Sequence, residues 1–147
     1  MLKLPPRMEE VLLLTRGGGL KEVSVAEKLG ISKQAVSKAL REGRGRLAQL
    51  FLTLAEALNA DIIKADTGRG YAIVRVRQLG MKAYLIYVPN EGMRVLFRDR
   101  IACGGDQLDF CKKIVNAAVE WGIIEEGEVK DNDVEGVIRE IINRLER

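Results

Sequence analysis

Lys33, Gln34, Ser37, Lys38 and Arg41 recur at spacings that bring them to one side of a helix; each can donate a hydrogen bond and none is acidic. The chemistry open to such a set is recognition rather than bond making. An α-helix fits the major groove of B-DNA, where Gln pairs with adenine, Lys or Arg with guanine, and Ser with several base edges. The solvated face of an ordinary helical hairpin is the plain alternative. Which applies depends on the elements that hold these residues.

Upstream, Val25, Ala26 and Leu29 fall on one face of a short helix, Gly30 suits a positive φ at its end, and Ile31 fills the corner. Ser32 then caps a second helix through its hydroxyl and stands with the candidate base readers, while Ala35, Val36, Ala39 and Leu40 are expected to face inward. Small residue, corner glycine, plug and cap at this spacing predict a helix-turn-helix. Pro5 and Pro6 suit the start of a helix before it, with Met8, Val11, Leu12 and Leu14 as its apolar face and Gly17 to Gly19 as its stop. The short helix is placed to begin near Lys21, because a start at Ser24 leaves barely one turn before Gly30.

Val11 to Leu14, Gly19-Leu20, Val25-Ala26, Leu29 to Ser32, Val36 and Leu40 together resemble the four-helix helix-turn-helix of LuxR-type regulators and sigma-factor region 4. Among archaeal proteins the pattern is most similar to the Tfx family of transcription regulators. The resemblance covers residues 7 to 58 and implies a DNA-binding head.

Gly43 and Gly45 each cost about 1 kcal/mol relative to Ala inside a helix, so a break or bend is expected after Arg41. Arg41, Arg44 and Arg46 would gather there, either on phosphates flanking the groove or as a solvated basic loop. Leu47, Leu50, Phe51, Leu54, Ala55 and Leu58 then form an apolar stripe wider than a small head needs. It can pack on the rest of the chain, pair with a second copy, or do both, and a pair would carry two recognition helices to successive grooves.

From Asp61 the period changes. Residues 62–65, 71–77, 83–88 and 93–98 are β-rich runs separated by turn residues, which predicts an antiparallel four-stranded meander. Alternation puts Arg75 and Arg77 on one face of their strand, and Arg94, Arg98 and Arg100 on one face of theirs. If the faces coincide, the sheet presents arginines to a small anionic effector, to DNA or to solvent alone. Two helices follow, one capped at Asp106 and running to Trp121, the other carrying Val134, Val137, Ile138, Ile141, Ile142 and Leu145. They are expected to cover the sheet's apolar face, giving an α+β chain: a head of three to four helices over residues 1–60 and a sheet domain over residues 61–147 for dimerisation or effector sensing.

Charge follows this division. Residues 1–60 carry ten basic side chains against six acidic, residues 61–105 eight against four, and residues 106–147 six against eleven, so the acidic end suits a phosphate backbone least. Val11 to Leu14 is too short for a signal peptide's apolar core and no run approaches membrane-spanning length, which predicts a cytoplasmic protein without a membrane partner. Cys103 and Cys111 are too few for a secreted scaffold; they read as two incidental thiols, or as a disulfide or redox pair. Without histidine, a Walker or dinucleotide loop, or an activated nucleophile, neither metal, cofactor nor catalysis is expected. The sequence therefore predicts a sequence-specific, homodimeric DNA-binding regulator of transcription. An RNA-binding or protein-interaction module is the alternative, and an enzyme in the second half a more distant one.

Overall fold

The computed structural model describes residues 3–147. Pro5 and Pro6 start α1 (Pro6–Leu12), which runs into a widened π-type turn over Leu13–Gly17. Then come α2 (Glu22–Leu29) and α3 (Lys33–Ala57). Four strands follow, β1 (Ala60–Asp66), β2 (Tyr71–Val76), β3 (Met81–Val88) and β4 (Gly92–Leu96), then α4 (Leu108–Glu120) and α5 (Val134–Leu145). The sheet is an antiparallel meander in the order β1-β2-β3-β4, and the chain is α+β as its sequence predicts.

The break expected at Gly43 and Gly45 is absent: α3 is one helix of 25 residues, about 37 Å long. Gly43 is buried, and a Cβ placed there would lie 3.1 Å from Cδ1 of Leu12. It is the point where α1 approaches α3, and the packing gained there offsets the conformational cost of glycine. The segment from Lys33 to Arg41 and the apolar stripe are thus two ends of one rod. Leu47, Phe51 and Ala55 are buried, so the stripe packs within its own chain.

The sheet is covered on both faces, not on one as expected. In β2 only Arg75 is exposed, a pattern that needs cover on either side. Tyr71, Ile73, Tyr84 and Ile86 share one face by register, and α5 lies over it. Its last carbonyl, that of Leu145, accepts from Lys64 Nζ at 3.1 Å and the Tyr71 hydroxyl at 3.4 Å, while Glu146 pairs with Lys82 at 2.9 Å. Tyr87 points the opposite way. Its hydroxyl donates to Oε2 of the buried Glu9 in α1 at 2.7 Å and accepts from the Leu4 amide at 2.7 Å. Burial, then the Glu9 carboxylate, push the Tyr87 hydroxyl well above the ordinary phenol range, against the opposing pull of the Leu4 amide. Glu9 also accepts from the Asn90 amide at 2.9 Å. One hydrophobic cluster runs through both halves of the chain.

Glu9→Ala strands two donors that are bonded to a charged acceptor, and a loss of about 3 kcal/mol is expected in urea unfolding. Glu9→Gln, which keeps an acceptor, should lose less.

At the C-terminal end, α4 starts at Leu108 behind a 3-10 turn over Gly105–Gln107, and Asp106 does not cap it. An Asp cap does open α5, where Asp133 accepts from the Gly136 amide at 3.1 Å. Cys103 and Cys111 form a disulfide, with Cα atoms 5.7 Å apart, which settles the open choice between thiols and a bridge. Arg144 forks onto Glu128, one branch at 2.8 Å, and together with the Glu125 amide holds the Glu128 carboxyl down to about 2. A lowered acid stabilises the fold above its unfolded value of 4.5 and loses that contribution as pH falls toward 2. The melting-temperature gap between the native chain and Glu128→Gln is therefore expected at neutral pH and should close over that interval.

No helix among the described residues is long and apolar enough to cross a membrane.

Candidate nucleic-acid interface

The corner between α2 and α3 forms from local chemistry. Gly30 adopts φ 66°, and the amides of Gly30 and Ile31 donate to the carbonyls of Glu27 at 3.3 Å and Ala26 at 3.0 Å. Ser32 is extended, and its hydroxyl accepts from the Ala35 amide at 3.0 Å as the sequence predicts. At the other end α2 begins after Lys21, which offers no side-chain cap. Val25 and Ala26 bury against Val36 and Leu40. Ala35, expected inward, is exposed, because it sits a full helical step from Val36 on the flank away from α2.

Lys33, Gln34, Lys38 and Arg41 are exposed, and Gln34, Lys38 and Arg41 recur at i, i+4 and i+7 on the side opposite the buried Val36-Leu40-Gly43-Leu47 stripe. Glu42 borders them and approaches Lys38 at 4.0 Å, both side chains open to solvent. Such an exposed pair is weak enough for a base edge or phosphate to displace. Ser37 is placed differently. It is half-buried and donates to Glu22 Oε1 of α2 at 2.5 Å, so its hydroxyl ties the two helices together.

The continuous helix also separates the arginines expected to gather at a break. Arg44 and Arg46 are two residues apart and therefore about 200° apart around α3. Arg44 lies on the α2 flank, beside a hollow lined by Thr15, Arg16, Leu20, Lys21, Glu22 and Leu40, and its Nε is buried with no hydrogen-bond partner among the described residues. Arg46 is exposed on the other flank, and Arg41 faces outward between them, beside Gln34 and Lys38. Arg16 and Lys21 are cations that sequence reasoning passed over. Arg16 lies within the π-type turn and Lys21 precedes α2, and only folding of the turn brings both beside Arg44.

These features make residues 3–57 a helix-turn-helix with a donor-rich exposed face. Residues 1–47 match the family model described as Sigma-70, region 4. The head is a helix-turn-helix similar to that DNA-binding class. The match ends at Leu47, where α3 leaves the head and enters the core, and it gives no support to the narrower likeness to the archaeal Tfx family. No curated protein and no solved structure matches the chain.

The sheet arginines do not converge. Arg75 stands opposite Lys82 and Arg94 opposite Ile86, four residues or about 13 Å apart along β3. Arg75 reaches the Gly80 carbonyl at 3.4 Å. Arg77 lies beyond the end of β2, bonded to Asn59 at 3.1 Å and forked onto Asp61, whose carboxyl it holds below the usual range. Arg94 is half-buried against the Met93 carbonyl at 2.9 Å. β4 ends at Leu96, two residues sooner than expected, so Arg98 sits in a 3-10 turn, bonded to Asn143 at 2.8 Å and lying over the Tyr84 ring. Each of the four has its own nearby partner, and the single arginine-rich surface is replaced by separate structural contacts.

Proposed function

We propose that the protein is a sequence-specific DNA-binding regulator of transcription that reads the major groove with the exposed face of α3. The observation that carries this reading is the Gln34-Lys38-Arg41 stripe, joined by Lys33, on a helix held by a sigma region 4-type corner. Gln34 and Lys38 are assigned to base edges together with Lys33 and Ser32, and Ser37 to positioning. Arg41, Arg44 and Arg46 are assigned to phosphates, the last two to opposite flanks of the groove, with Arg16 and Lys21 beside Arg44.

Residues 61–147 are proposed to carry dimerisation or effector sensing. A dimer would have to use a surface other than the Leu47 to Leu58 stripe, most of which is buried or half-buried in the chain's own core. Scattering mass at low concentration measures this directly.

Selection from a random duplex pool tests the main reading. One enriched motif that outcompetes both scrambled duplex and matched RNA at equal salt is expected. Recovery of no motif would sink specific recognition, and preferential capture by RNA would replace duplex DNA as the partner.

A further inference from the structure

After Leu96 the chain leaves the sheet, and the margin of β4, the edge strand among the described residues, borders a cavity of about 210 Å³. Its floor is apolar and buried, formed by Leu96, Cys111 and Ile138. Phe97, Ile101 and Phe110 are half-buried around it, leaving aromatic and aliphatic surface turned to the opening. Two polar side chains reach this apolar lining, Arg100 and Gln107. Both are exposed, and neither makes a side-chain hydrogen bond or ion pair with another described residue. This separates Arg100 from its neighbour Arg98, which is bonded to Asn143. Asp99 and Asp106 adjoin the two polar residues in sequence, but neither lines the cavity.

The walls are held before any ligand arrives. The Cys103–Cys111 disulfide ties the loop after β4 to the first turn of α4, and the Cys103 amide donates to Glu135 of α5 at 3.2 Å. A loop fixed at that point contributes lining residues from both sides of the bridge without needing to be ordered on binding, which removes a cost that mobile sites carry.

We propose that this cavity is a binding site for a small apolar carboxylate, a molecule with one ring or a branched chain and a single acid group. The volume lies between the roughly 150 Å³ of a hole that holds benzene and the lower end, about 300 Å³, of sites for drug-sized ligands. The apolar floor takes the hydrocarbon end. The Arg100 guanidinium forks onto the carboxylate at the mouth, a geometry that a planar cation favours, and the Gln107 amide supplies a further donor. A lone cation over an apolar floor suits a monoanion better than a phosphate ester, which calls for several donors. The site is separate from the contacts of Arg75, Arg77, Arg94 and Arg98 and from the face proposed to read DNA, so it stands or falls independently of the DNA-binding proposal.

The test is titration of the isotope-labelled full chain with phenylacetate and, separately, phenylacetamide, followed by amide NMR shifts. Saturable phenylacetate shifts confined to residues 95–102 and 107–111 are expected, with weaker binding of the neutral amide. Arg100→Gln is an exposed substitution that leaves the fold intact; it should weaken phenylacetate about tenfold, the scale of one charge-assisted hydrogen bond, and leave phenylacetamide unchanged. Absence of saturable shifts at millimolar phenylacetate, or shifts centred elsewhere, would overturn the site. Equal binding of acid and amide, or indifference of the acid to Arg100→Gln, would overturn the assignment to carboxylates.

Discussion

The double variant Gln34→Ala, Lys38→Ala is expected to lose preference for its selected operator while keeping its fold and its salt-dependent affinity for arbitrary duplex. Both side chains are exposed, and neither supports the core. Their removal should leave the melting temperature within the small range of ordinary surface substitutions. A bidentate Gln–adenine or Lys–guanine contact discriminates by about 1–3 kcal/mol, so two that read different base pairs amount to about 2–6 kcal/mol. That is a large part of the interval between specific and non-specific binding. Phosphate-directed variants should behave in another way. Arg44→Ala is expected to weaken operator and scrambled duplex alike and to flatten the salt dependence by about one unit of slope. Ser37→Ala is the informative control: losing the bond to Glu22 should lower stability and weaken all sequences together, without redirecting preference to another base. Competition binding of operator and scrambled duplex at several salt concentrations separates the three outcomes. Retained discrimination in the double variant would move base readout away from this face of α3.

Sequence reasoning succeeded where a structure is decided within one or two turns of chain. Gly30, Ser32 and the donors that follow are of this kind: a positive φ, a cap and an exposed face each depend on neighbours a few residues away. The meander was legible for the same reason, since turn residues and strand runs alternate along the chain. The errors concern partners that are distant in sequence. Gly43 was read by its helix propensity, but its environment is set by Leu12, and its place on the Val36-Leu40-Gly43-Leu47 stripe was the available sign that it is a packing position. Both-sided cover of the sheet was written into β2, whose Tyr-Ala-Ile-Val start has no polar alternation, yet nothing local says that α1 supplies one of the covers. Nothing within a turn of Glu9 marks it as a buried carboxylate. Only the docking of Tyr87 and Asn90 makes it buried. In the head, the half-burial of Ser37 depends on a residue of α2 fifteen positions earlier, which helical periodicity within α3 does not show.

A large loss of stability from a single methyl group is expected at Gly70. Its φ is 68°, and a Cβ there would lie 2.2 Å from Cε2 and 2.6 Å from Cδ2 of Trp121. That indole cannot simply swing aside. It is fully buried, its Nε1 donates to the Tyr87 carbonyl at 2.8 Å, and it meets the Tyr87 ring edge to face. The Tyr87 amide in turn donates to the Gly70 carbonyl at 2.8 Å, so strand turn, β3 and the end of α4 share one small junction. Gly70→Ala adds a left-handed backbone penalty of about 1–2 kcal/mol to an overpacking cost of about 1–3 kcal/mol, and a total of about 4 kcal/mol is expected. Gly80 provides the internal reference. It has φ 61°, but a Cβ there meets nothing within 4 Å, so Gly80→Ala should show the backbone penalty alone. The difference between the two variants in urea unfolding therefore isolates the contact with Trp121. Because Trp121 is the chain's one tryptophan, its emission reports the same junction during unfolding. Equal losses at Gly70 and Gly80 would mean that the indole relaxes at little cost, and that the junction holding α4 to the sheet is looser than its hydrogen bonds imply.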